Sequence, residues 1–397
     1  MSEWKECTIA DLGEVVGGAT PSTKKPENYE NGDISWITPK DLSTFRGRYI
    51  LRGERNITEI GLNSCSTRLL PPNTVLFSSR APIGYVAIAA KGMCTNQGFK
   101  SVIPNTDTDY MFLYYLLKYN RDNIENMGSG TTFKEVSGNT MKSIKVCVPV
   151  DIDEQRRMGA VLSAIDDKIE LNTAINENLE SQAQALSDKW VAEHLDCITM
   201  RPLAEVVEIN PDTYSPKDKW TFVNYLDTSS ITNGVMSEIQ LIRPDTEKLP
   251  SRARRIIKAN DIVYSTVRPN QLHFGIISNP LDNMLASTGF AVIRSKYDYI
   301  SSPYIYHFLT SPDFIEKMQQ LAEQSTSTFP SVKPSDIGTC LIPCADEAEM
   351  LDITDKINGM YALVSANHQE NKRLAALRDT LLPKLMSGEI DVSAVKI

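Results

Sequence analysis

Side chains capable of catalysis occur in this sequence, but none of them falls into a recognised catalytic spacing. Asn210-Pro211-Asp212-Thr213 is the nearest approach to an Asn-Pro-Pro-aromatic loop, yet it lacks the second proline and the ring that would stack on a flipped base. Neither a Gly-x-x-x-x-Gly-Lys-Ser/Thr phosphate loop nor a Gly-x-Ser-x-Gly nucleophile turn occurs. The four histidines lie too far apart in the sequence for metal-ligand spacing: His194, His273, His307 and His368. We therefore expect a chain that catalyses nothing itself and holds neither metal nor cofactor, with an enzyme of unrecognised site as the alternative.

The cysteines, the apolar runs and the N-terminal residues indicate which cellular compartment we expect for this protein. Seven scattered cysteines form no Cys-x-x-Cys pair, which favours small buried side chains over a disulfide framework or a zinc site. No run approaches the roughly 20 apolar residues of a membrane helix. Met1-Ser2-Glu3-Trp4-Lys5-Glu6 lacks an apolar signal core. We expect a cytoplasmic protein that does not contact a membrane.

Several polar side chains have the chemistry that reads nucleic acid. Arginine can donate two hydrogen bonds to a guanine edge, and Asn or Gln can pair in the same way with adenine. Ser79-Arg80 and Thr266-Val267-Arg268 each follow a short apolar run, so Arg80 and Arg268 are the first candidates for base contact. The alternative for each is a structural arginine paired with a carboxylate. The further candidates are Ser79, Thr266, Asn96, Gln97, Lys100, Thr131, Thr132, Ser327 and Thr328.

Two clusters of basic residues could contact phosphates. The first contains Arg46, Arg48, Arg52 and Arg55, and the second contains Arg252, Arg254, Arg255 and Lys258. Each neutralised phosphate would add affinity and salt dependence. A simply solvated surface is the alternative for both clusters, so the phosphate contacts of Arg52, Arg55, Arg254 and Arg255 are stated as expectations.

The net charge of −9 counts against nucleic-acid binding when the chain is taken whole. Its distribution changes that inference, because residues 1–148 carry 17 basic and 15 acidic side chains, whereas residues 149–200 carry 4 and 11. The acid is therefore concentrated outside the large globular segments, which are close to neutral.

An internal repeat with an offset of about 190 residues sets the predicted architecture. The segment around residues 72–80 matches the segment around residues 259–268, and Gln97-Gly98-Phe99 matches Thr288-Gly289-Phe290. Each half then ends in an apolar run that stops at Pro149 or Pro343 and is followed by a long helical pattern. The shared order of these matches indicates a duplicated module.

The two helical segments carry the clearest periodic pattern. Apolar residues recur at three, four or seven positions, as in a coiled coil, and both seams are interrupted by paired asparagines. These are Asn172 and Asn176 in the first segment and Asn367 and Asn371 in the second. We predict that the helices pack antiparallel with the asparagines meeting, which would disfavour slipped registers. The alternative is that each helix covers only its own domain.

These patterns together predict an α+β chain with two pseudo-symmetric β-rich domains separated by two long helices packed as an antiparallel coiled coil. The predicted domains are residues 1–150 and 201–344. The predicted helical segments are residues 151–200 and 345–397. Shorter helices are expected at Tyr110–Tyr119 and from Tyr304 onward.

The helices and the domain ends resemble those of specificity subunits of type I restriction–modification enzymes. The string IDDKIELNTAINENLE at residues 165–180 resembles the central conserved helix of that family. The resemblance extends to GSGTTF at 128–133, IKVCVP at 144–149 and LLPKLMSGEI at 381–390. Departures occur at the domain ends, where Pro149-Val150-Asp151-Ile152 replaces the more frequent pair of prolines and a leucine, and Glu349 stands where glutamine is frequent.

The resemblance implies a sequence-specific DNA-binding role. Each domain would read one half of a bipartite target in double-stranded DNA. The helices would set the gap and dock two modification subunits, which would carry S-adenosylmethionine and methylate adenine, and a restriction subunit could join them. A scaffold that pairs two protein-interaction domains is the other alternative to this function.

Overall fold

The structure is a computed structural model that describes residues 3–80, 82–130, 134–325 and 330–395. It divides into two compact units. Unit 1 comprises Met1–Asn172 and Glu370–Ile397, and unit 2 comprises Thr173–Gln369. Each unit therefore contains one β-rich module and about half of each of the two long helices.

The module of unit 1 precedes the first long helix. Its strands are β1 (Trp4–Thr8), β2 (Gly13–Gly17), β3 (Ile34–Ile37), β4 (Tyr49–Ile50), β5 (Arg55–Ile57), β6 (Val75–Ser79), β7 (Ile83–Ala89), β8 (Cys94–Thr95), β9 (Lys100–Pro104) and β10 (Lys145–Pro149). Its helices are α1 (Ile9–Leu12), α2 (Pro39–Ser43), α3 (Glu59–Asn63), α4 (Tyr110–Tyr119), α5 (Arg121–Asn126) and α6 (Gly138–Ser143). The long helix α7 (Ile152–Glu193) follows.

The module of unit 2 begins with a strand, a short helix and a strand, and ends with helices and a last strand, as the module of unit 1 does. Its strands are β11 (Thr199–Pro202), β12 (Val207–Ile209), β13 (Val223–Leu226), β14 (Ile231–Thr232), β15 (Val235–Met236), β16 (Gln240–Ile242), β17 (Ala253–Ile256), β18 (Asp261–Ser265), β19 (Phe274–Ile277), β20 (Met284–Ser287), β21 (Phe290–Ser295) and β22 (Leu341–Cys344). Its helices are α8 (Leu203–Val206), α9 (Ser302–Thr310), α10 (Pro312–Glu323) and α11 (Pro334–Gly338). The second long helix, α12 (Glu347–Met386), follows.

The main sheets of the two modules have the same topology. In unit 1 the strand order is β2-β9-β6-β7-β4, and in unit 2 it is β12-β21-β18-β19. The three shared pairings are antiparallel in both modules. A second sheet in each module contains a parallel pair, β3 with β8 in one and β13 with β20 in the other. The two pseudo-symmetric β-rich modules expected from the sequence repeat are confirmed.

The central strand of each main sheet begins in the same way. Asn73 and Asn260 both adopt a left-handed backbone with φ 66°, a conformation that asparagine tolerates better than most residues. All five residues of β6 and all five of β18 are buried. A continuous apolar run bounded by a turn residue is typical of a strand covered on both faces. The same local signal therefore places an equivalent strand in the core of each module.

A short aromatic helix covers each main sheet. Helix α4 begins after Asp109, whose carboxylate accepts from the Phe112 backbone N–H at 2.8 Å. Helix α9 begins after Ser301, whose hydroxyl accepts from the Tyr304 backbone N–H at 3.3 Å. The apolar side chains of both helices join the large core cluster of their unit. The predicted helices at Tyr110–Tyr119 and from Tyr304 onward are confirmed.

The long helices α7 and α12 run antiparallel and pack against each other, as predicted. They contain 42 and 40 residues, which corresponds to about 63 and 60 Å at 1.5 Å per residue. Their N-termini are capped alike, since Asp151 accepts from the Asp153 N–H and Asp346 accepts from the Glu349 N–H, each at 3.0 Å. Helix α7 ends seven residues before the predicted limit at 200, and α12 ends at Met386.

The asparagines expected to meet do so within each unit. In unit 1 the Asn172 side-chain amide donates to Asn371 Oδ1 at 2.9 Å. In unit 2 the Asn367 amide donates to Asn176 Oδ1 at 2.8 Å. Asn172 and Asn176 are almost fully buried, so unpaired amides there would cost free energy. Selection of the helix register by these pairs remains a prediction.

We expect burial of His307 on α9 to make the stability of unit 2 depend on pH. The residue is 4% exposed, and burial lowers the pKa of His307 to about 4. In the unfolded chain it titrates near 6.5, so its contribution is fully present above that pH and is lost as pH falls toward 4. We expect a loss of about 3 kcal/mol across this window.

The measurement is denaturant unfolding of the wild type and of His307→Phe between pH 4.5 and 7.5. The variant cannot bind the proton, so its stability should vary less with pH than that of the wild type. The matched variant is His307→Gln, which also cannot bind the proton and should show the same reduced dependence on pH. Equal slopes for wild type and His307→Phe would rule out this contribution.

Candidate nucleic-acid interface

The first candidate site lies at the end of β6 in unit 1. The Ser79 N–H donates to the Gly98 carbonyl at 2.7 Å, and the Ser79 carbonyl accepts from the Val136 N–H at 3.0 Å. These two bonds bring the loop at residues 96–98 and the segment after residue 134 against the end of the strand. Arg80 is the next residue and pairs with Glu135 as an isolated bridge.

The second candidate site has the same construction in unit 2. The Thr266 N–H donates to the Gly289 carbonyl at 2.8 Å, and the Thr266 carbonyl accepts from the Val332 N–H at 2.9 Å. Thr266 therefore corresponds to Ser79, and the loop containing Gly289 corresponds to that containing Gly98. Ser79 and Thr266, which the sequence repeat aligns only loosely, thus make the same pair of backbone hydrogen bonds.

The charge at the first site is held by two cations and one carboxylate. Arg80 Nη1 lies 3.7 Å from Glu135 Oε2, and Lys100 Nζ lies 3.4 Å from Glu135 Oε1. The Arg80 side chain is 34% exposed, whereas that of Lys100 is mostly covered. One positive charge remains after Glu135 is counted, and Arg80 is the more accessible of the two cations. Arg80 therefore fits the alternative of a structural arginine, because it has a carboxylate partner. It also remains a candidate for base contact, because it is accessible to solvent.

Arg268 occupies a distinctive backbone position at the second site. Its φ of 48° is left-handed, which is uncommon for a residue with a long side chain. Its N–H donates to the Pro330 carbonyl at 3.0 Å, and a turn of 3-10 helix over Pro269–Gln271 follows. Such a conformation costs free energy and is held in place by its surroundings. The role of Arg268 in base contact remains a prediction.

The hydroxyls of Ser79 and Thr266 lie in the protein interior. The two residues are 0% and 7% exposed. Ser79 Oγ accepts from Lys100 Nζ at 3.5 Å, and Thr266 Oγ1 donates to the Gly289 carbonyl at 2.9 Å. Because both hydroxyls have partners within the chain, they hold the strand end in place, and their contact with DNA remains a prediction that would require them to become exposed.

The loop at residues 96–98 offers one side chain to solvent. Asn96 Oδ1 accepts from the Gly98 N–H at 2.8 Å and so holds the loop turn, which leaves its amide nitrogen as the group for a ligand. Gln97 is exposed, and its Oε1 accepts from the Thr20 hydroxyl. Gln97 is therefore better placed than Asn96 to meet a base edge.

The four predicted threonine and serine contacts lie outside the described residues: Thr131, Thr132, Ser327 and Thr328. Their flanks are described in both units. Ser129 and Glu135 exchange two backbone hydrogen bonds of 3.1 and 2.9 Å. In unit 2, Val267 and Ser331 form an isolated antiparallel bridge. Both flanks end beside the candidate arginines.

The first basic cluster does not act as one phosphate-binding loop. Arg48 is buried in an ionic cluster on α7, where it contacts Asp167 and its Nε lies 3.1 Å from Glu170 Oε1. Burial acts to lower the pKa of Arg48, but its bonds to the carboxylates outweigh that effect and raise it. This arginine therefore fastens the module to the helix, a role that the sequence analysis missed.

The remaining residues of that cluster stay exposed. Arg52 and Arg46 line an open groove of about 630 Å³ that also contains Asp41 and the ion pair between Lys40 and Glu54, whose atoms lie 2.7 Å apart. The Arg55 guanidinium lies over the Tyr29 ring at 4.3 Å from its centroid. Arg52 is thus the better phosphate candidate of the two.

The second basic cluster is largely engaged within unit 2. Arg254 Nη1 donates to the Tyr214 carbonyl at 3.4 Å, and Arg255 Nη1 lies 3.5 Å from Thr213 Oγ1. Burial lowers the pKa of Arg255, whose Nε has no hydrogen-bond partner among the described residues. Phosphate contact by either arginine would require a partly buried guanidinium to reorient.

Two further observations restrict the chemistry of the described residues. They contain no group of three or more His, Cys, Asp or Glu side chains that could hold a metal ion. Among them, no helix combines the length and apolar character that crossing a bilayer requires.

Comparison with known proteins assigns the family. The family model of the type I restriction modification DNA specificity domain matches residues 1–181. The chain is 32% identical to the type I restriction enzyme MjaIX specificity subunit of Methanocaldococcus jannaschii, over 98% of this chain and 94% of the relative. The chain belongs to the type I restriction enzyme specificity subunits. The resemblance noted from its helices and domain ends is thereby confirmed.

Two other relatives extend the comparison of this specificity subunit. It is 30% identical to the EcoR124I/EcoR124II specificity subunit of Escherichia coli, over 52% of this chain and 50% of the relative. Its fold is similar to that of the type I restriction–modification S subunit from M. genitalium, with a TM-score of 0.58 and 17% identity. That match covers 97% of this chain and 96% of the other. The expected fold class is confirmed.

Proposed function

We propose that each module of this specificity subunit reads one half of a bipartite target in double-stranded DNA. The observation that carries this proposal is the equivalence of the two strand-end sites, each built from the same backbone contacts around Ser79 and Thr266. Related modules with different side chains at equivalent positions would recognise two different half-sites. Arg80 and Gln97 in unit 1 and Arg268 in unit 2 are the proposed contacts to base edges.

The paired helices are proposed to set the gap between the half-sites and to dock two modification subunits. Stiff helices of 42 and 40 residues are long enough for this task, since one turn of DNA spans roughly 34 Å. The proposed recognition modules are residues 1–150 and 201–344, with residues 151–200 and 345–397 as the helical segments. The modification subunits would supply S-adenosylmethionine and methylate adenine, and a restriction subunit would join them for cleavage in the cytoplasm.

The proposed role is recognition without catalysis by this chain. The near-neutral charge of the modules implies weak DNA binding alone, with much of the phosphate contact made by the modification subunits. Methyl transfer by the pure chain would instead favour an enzyme with an unrecognised site. Binding that ignores DNA sequence and salt would favour a protein-interaction scaffold.

The test is to co-express the chain with modification subunits in cells that lack other methyltransferases, and to map N6-methyladenine across the genome by long-read sequencing. We expect methylation at one asymmetric motif made of two short specified halves and an unspecified gap. A continuous motif without a gap would contradict recognition by two separate modules.

Arg80→Ala should relax discrimination in one half-site only. Loss of a bidentate contact costs about 1–3 kcal/mol of discrimination at one base pair. The measurement is competition binding of the assembled methyltransferase to duplexes altered in either half-site. Arg268→Ala is the matched variant and should relax the other half-site. Equal losses in both halves from Arg80→Ala would refute the assignment of one module to each half.

A further inference from the structure

In unit 1, the cations Lys118 and Arg378 belong to a cluster of side chains between helix α4 of the module and the long helices α7 and α12. The Tyr115 hydroxyl on α4 donates to Asp166 Oδ2 on α7 at 2.6 Å. Arg378 Nη1 on α12 lies 2.8 Å from the other oxygen of Asp166. Lys118, one turn after Tyr114, places Nζ 5.2 Å from the centre of the Tyr114 ring. The polar groups of this cluster are therefore satisfied within the chain.

The equivalent positions in unit 2 follow from two alignments. The caps Asp109 and Ser301 align α4 with α9, so Tyr115 corresponds to His307 and Lys118 to Thr310. The asparagines and the caps Asp151 and Asp346 align α7 with α12 at an offset of 195. By that offset Asp166 corresponds to Tyr361, and Arg378 corresponds to Ala183. The ring centres of His307 and Tyr361 lie 5.5 Å apart, which agrees with this alignment.

Unit 2 therefore lacks both cations at this place and has an open cleft there instead. The cleft has a volume of about 520 Å³ and is lined by Glu177, Glu180, Asp188, Tyr306, His307 and Tyr361, among others. No arginine or lysine of the described residues lines it. Burial, together with repulsion from Glu177, raises the pKa of Glu180. The cleft thus gathers carboxyl groups where the other copy of the module places Arg378 and Lys118.

Two polar atoms at this cleft lack partners. His307 Nε2 and the Tyr361 hydroxyl are buried and make no hydrogen bond among the described residues. Gln184 donates through Nε2 to Asp188 Oδ1 at 2.9 Å, so its Oε1 accepts from His307 Nδ1 at 3.0 Å. His307 Nε2 is consequently the unprotonated nitrogen and acts as an acceptor. An acceptor buried in this way costs free energy unless a donor reaches it.

We propose that this cleft binds a guanidinium or ammonium group of an arginine or lysine side chain from a docked modification subunit. Such a group carries several donors and a positive charge, which match the carboxylates, the aromatic rings and His307 Nε2. The proposal rests on the proposed function, because the cleft lies along α7, one of the helices assigned to docking. Unit 1 supplies the corresponding cation from Arg378 and needs no external one at this place.

The first test uses the full chain and small cations. Because the sequence has only four histidines, labelling with isotopic histidine gives a sparse NMR spectrum in which His307→Gln assigns the His307 signal. Ethylguanidinium and butylammonium should shift that signal saturably, whereas tetramethylammonium, which has charge but no donors, should bind at least several-fold more weakly. Glu180→Gln should weaken ethylguanidinium binding by about tenfold. Glu193→Gln, an exposed carboxylate on the same helix, is the control and should leave binding unchanged.

The second test measures assembly with modification subunits by analytical ultracentrifugation. Glu180→Gln and Glu177→Gln should weaken the binding of one modification subunit by about tenfold or more and leave the other at wild-type affinity. The expected result is a complex with a single modification subunit at concentrations where the wild type holds two. Glu193→Gln should assemble as the wild type does.

The outcomes separate the two proposals. Ethylguanidinium binding that is absent, or that is insensitive to Glu180→Gln, would overturn the cation site. Binding of the probe with normal assembly of both variants would overturn the assignment to a modification subunit and would identify a site for a free organic cation. If the wild-type chain bound no modification subunit, the proposed function would be refuted, whereas the NMR titration would still show whether the cleft binds a cation.

Discussion

Arg378→Ala is expected to lower the free energy of unfolding of unit 1 by about 3–5 kcal/mol. The Asp166 side chain is 7% exposed, and Arg378 is the cation that pairs with it, at 2.8 Å. Removing the guanidinium leaves the buried carboxylate with the Tyr115 hydroxyl as its remaining hydrogen-bond partner among the described residues, and a buried charge that loses its paired cation is far more costly than the loss of an exposed pair. Denaturant unfolding, followed by hydrogen exchange of α4 amides to report on unit 1, measures the effect.

The control for this prediction lies on the same helix. Arg373→Ala removes an exposed arginine of α12 and should change stability by no more than about 0.5 kcal/mol. The double variant Arg378→Met with Asp166→Leu removes both charges and should recover much of the lost stability, because the desolvation cost disappears with them. A loss below about 1 kcal/mol in Arg378→Ala would show that Asp166 is not held as a buried ion.

Lengthening both long helices by four residues should widen the gap in the DNA target without altering either half-site. The insertions would follow Asn172 in α7 and Asn367 in α12, so that the antiparallel pairing is extended on both sides. Four residues add about 6 Å of helix, which corresponds to one or two base pairs at 3.4 Å each. Mapping of N6-methyladenine in cells that express the variant with modification subunits measures the new gap.

Two controls accompany the lengthened variant. An insertion of four residues after Gly388, beyond the end of α12, should leave the gap unchanged. An insertion in α7 alone should separate the asparagine pairs and reduce methylation at every site. A gap that stays fixed in the doubly lengthened variant would refute the proposal that these helices measure the spacing.

The sequence predicts much of this fold because its strongest signals are local or repeated. Asn73 and Asn260 precede equivalent buried strands in the same left-handed backbone, and Asp109 and Ser301 start equivalent helices through hydrogen bonds to the third following residue. The asparagine pairing was also predictable, since the same polar interruption occurs in both seams. The parallel strand pairs were not predictable, because nothing in β3 or β8 indicates which distant strand lies beside it.

The candidate site was less predictable for a different reason. A pattern of residue types gives the end of a strand but not the direction of its last side chain, so the burial of Ser79 and Thr266 was not predictable. Arg48 was grouped with the exposed arginines near it, whereas its partners Asp167 and Glu170 lie more than 100 positions away in the sequence. Such long-range pairing leaves no local signature.

The terminal strands of the modules have a consequence for how new specificities arise. Strand β1 pairs with β10, and β11 pairs with β22, both antiparallel, so each module starts and finishes at a single two-stranded clasp. A foreign module joined through matching clasp residues would inherit the same attachment to the helices. Genetic exchange at two short stretches of DNA would then be sufficient to replace one half of a recognition sequence in a single event, and the machinery that acts on it would need no compensating mutation.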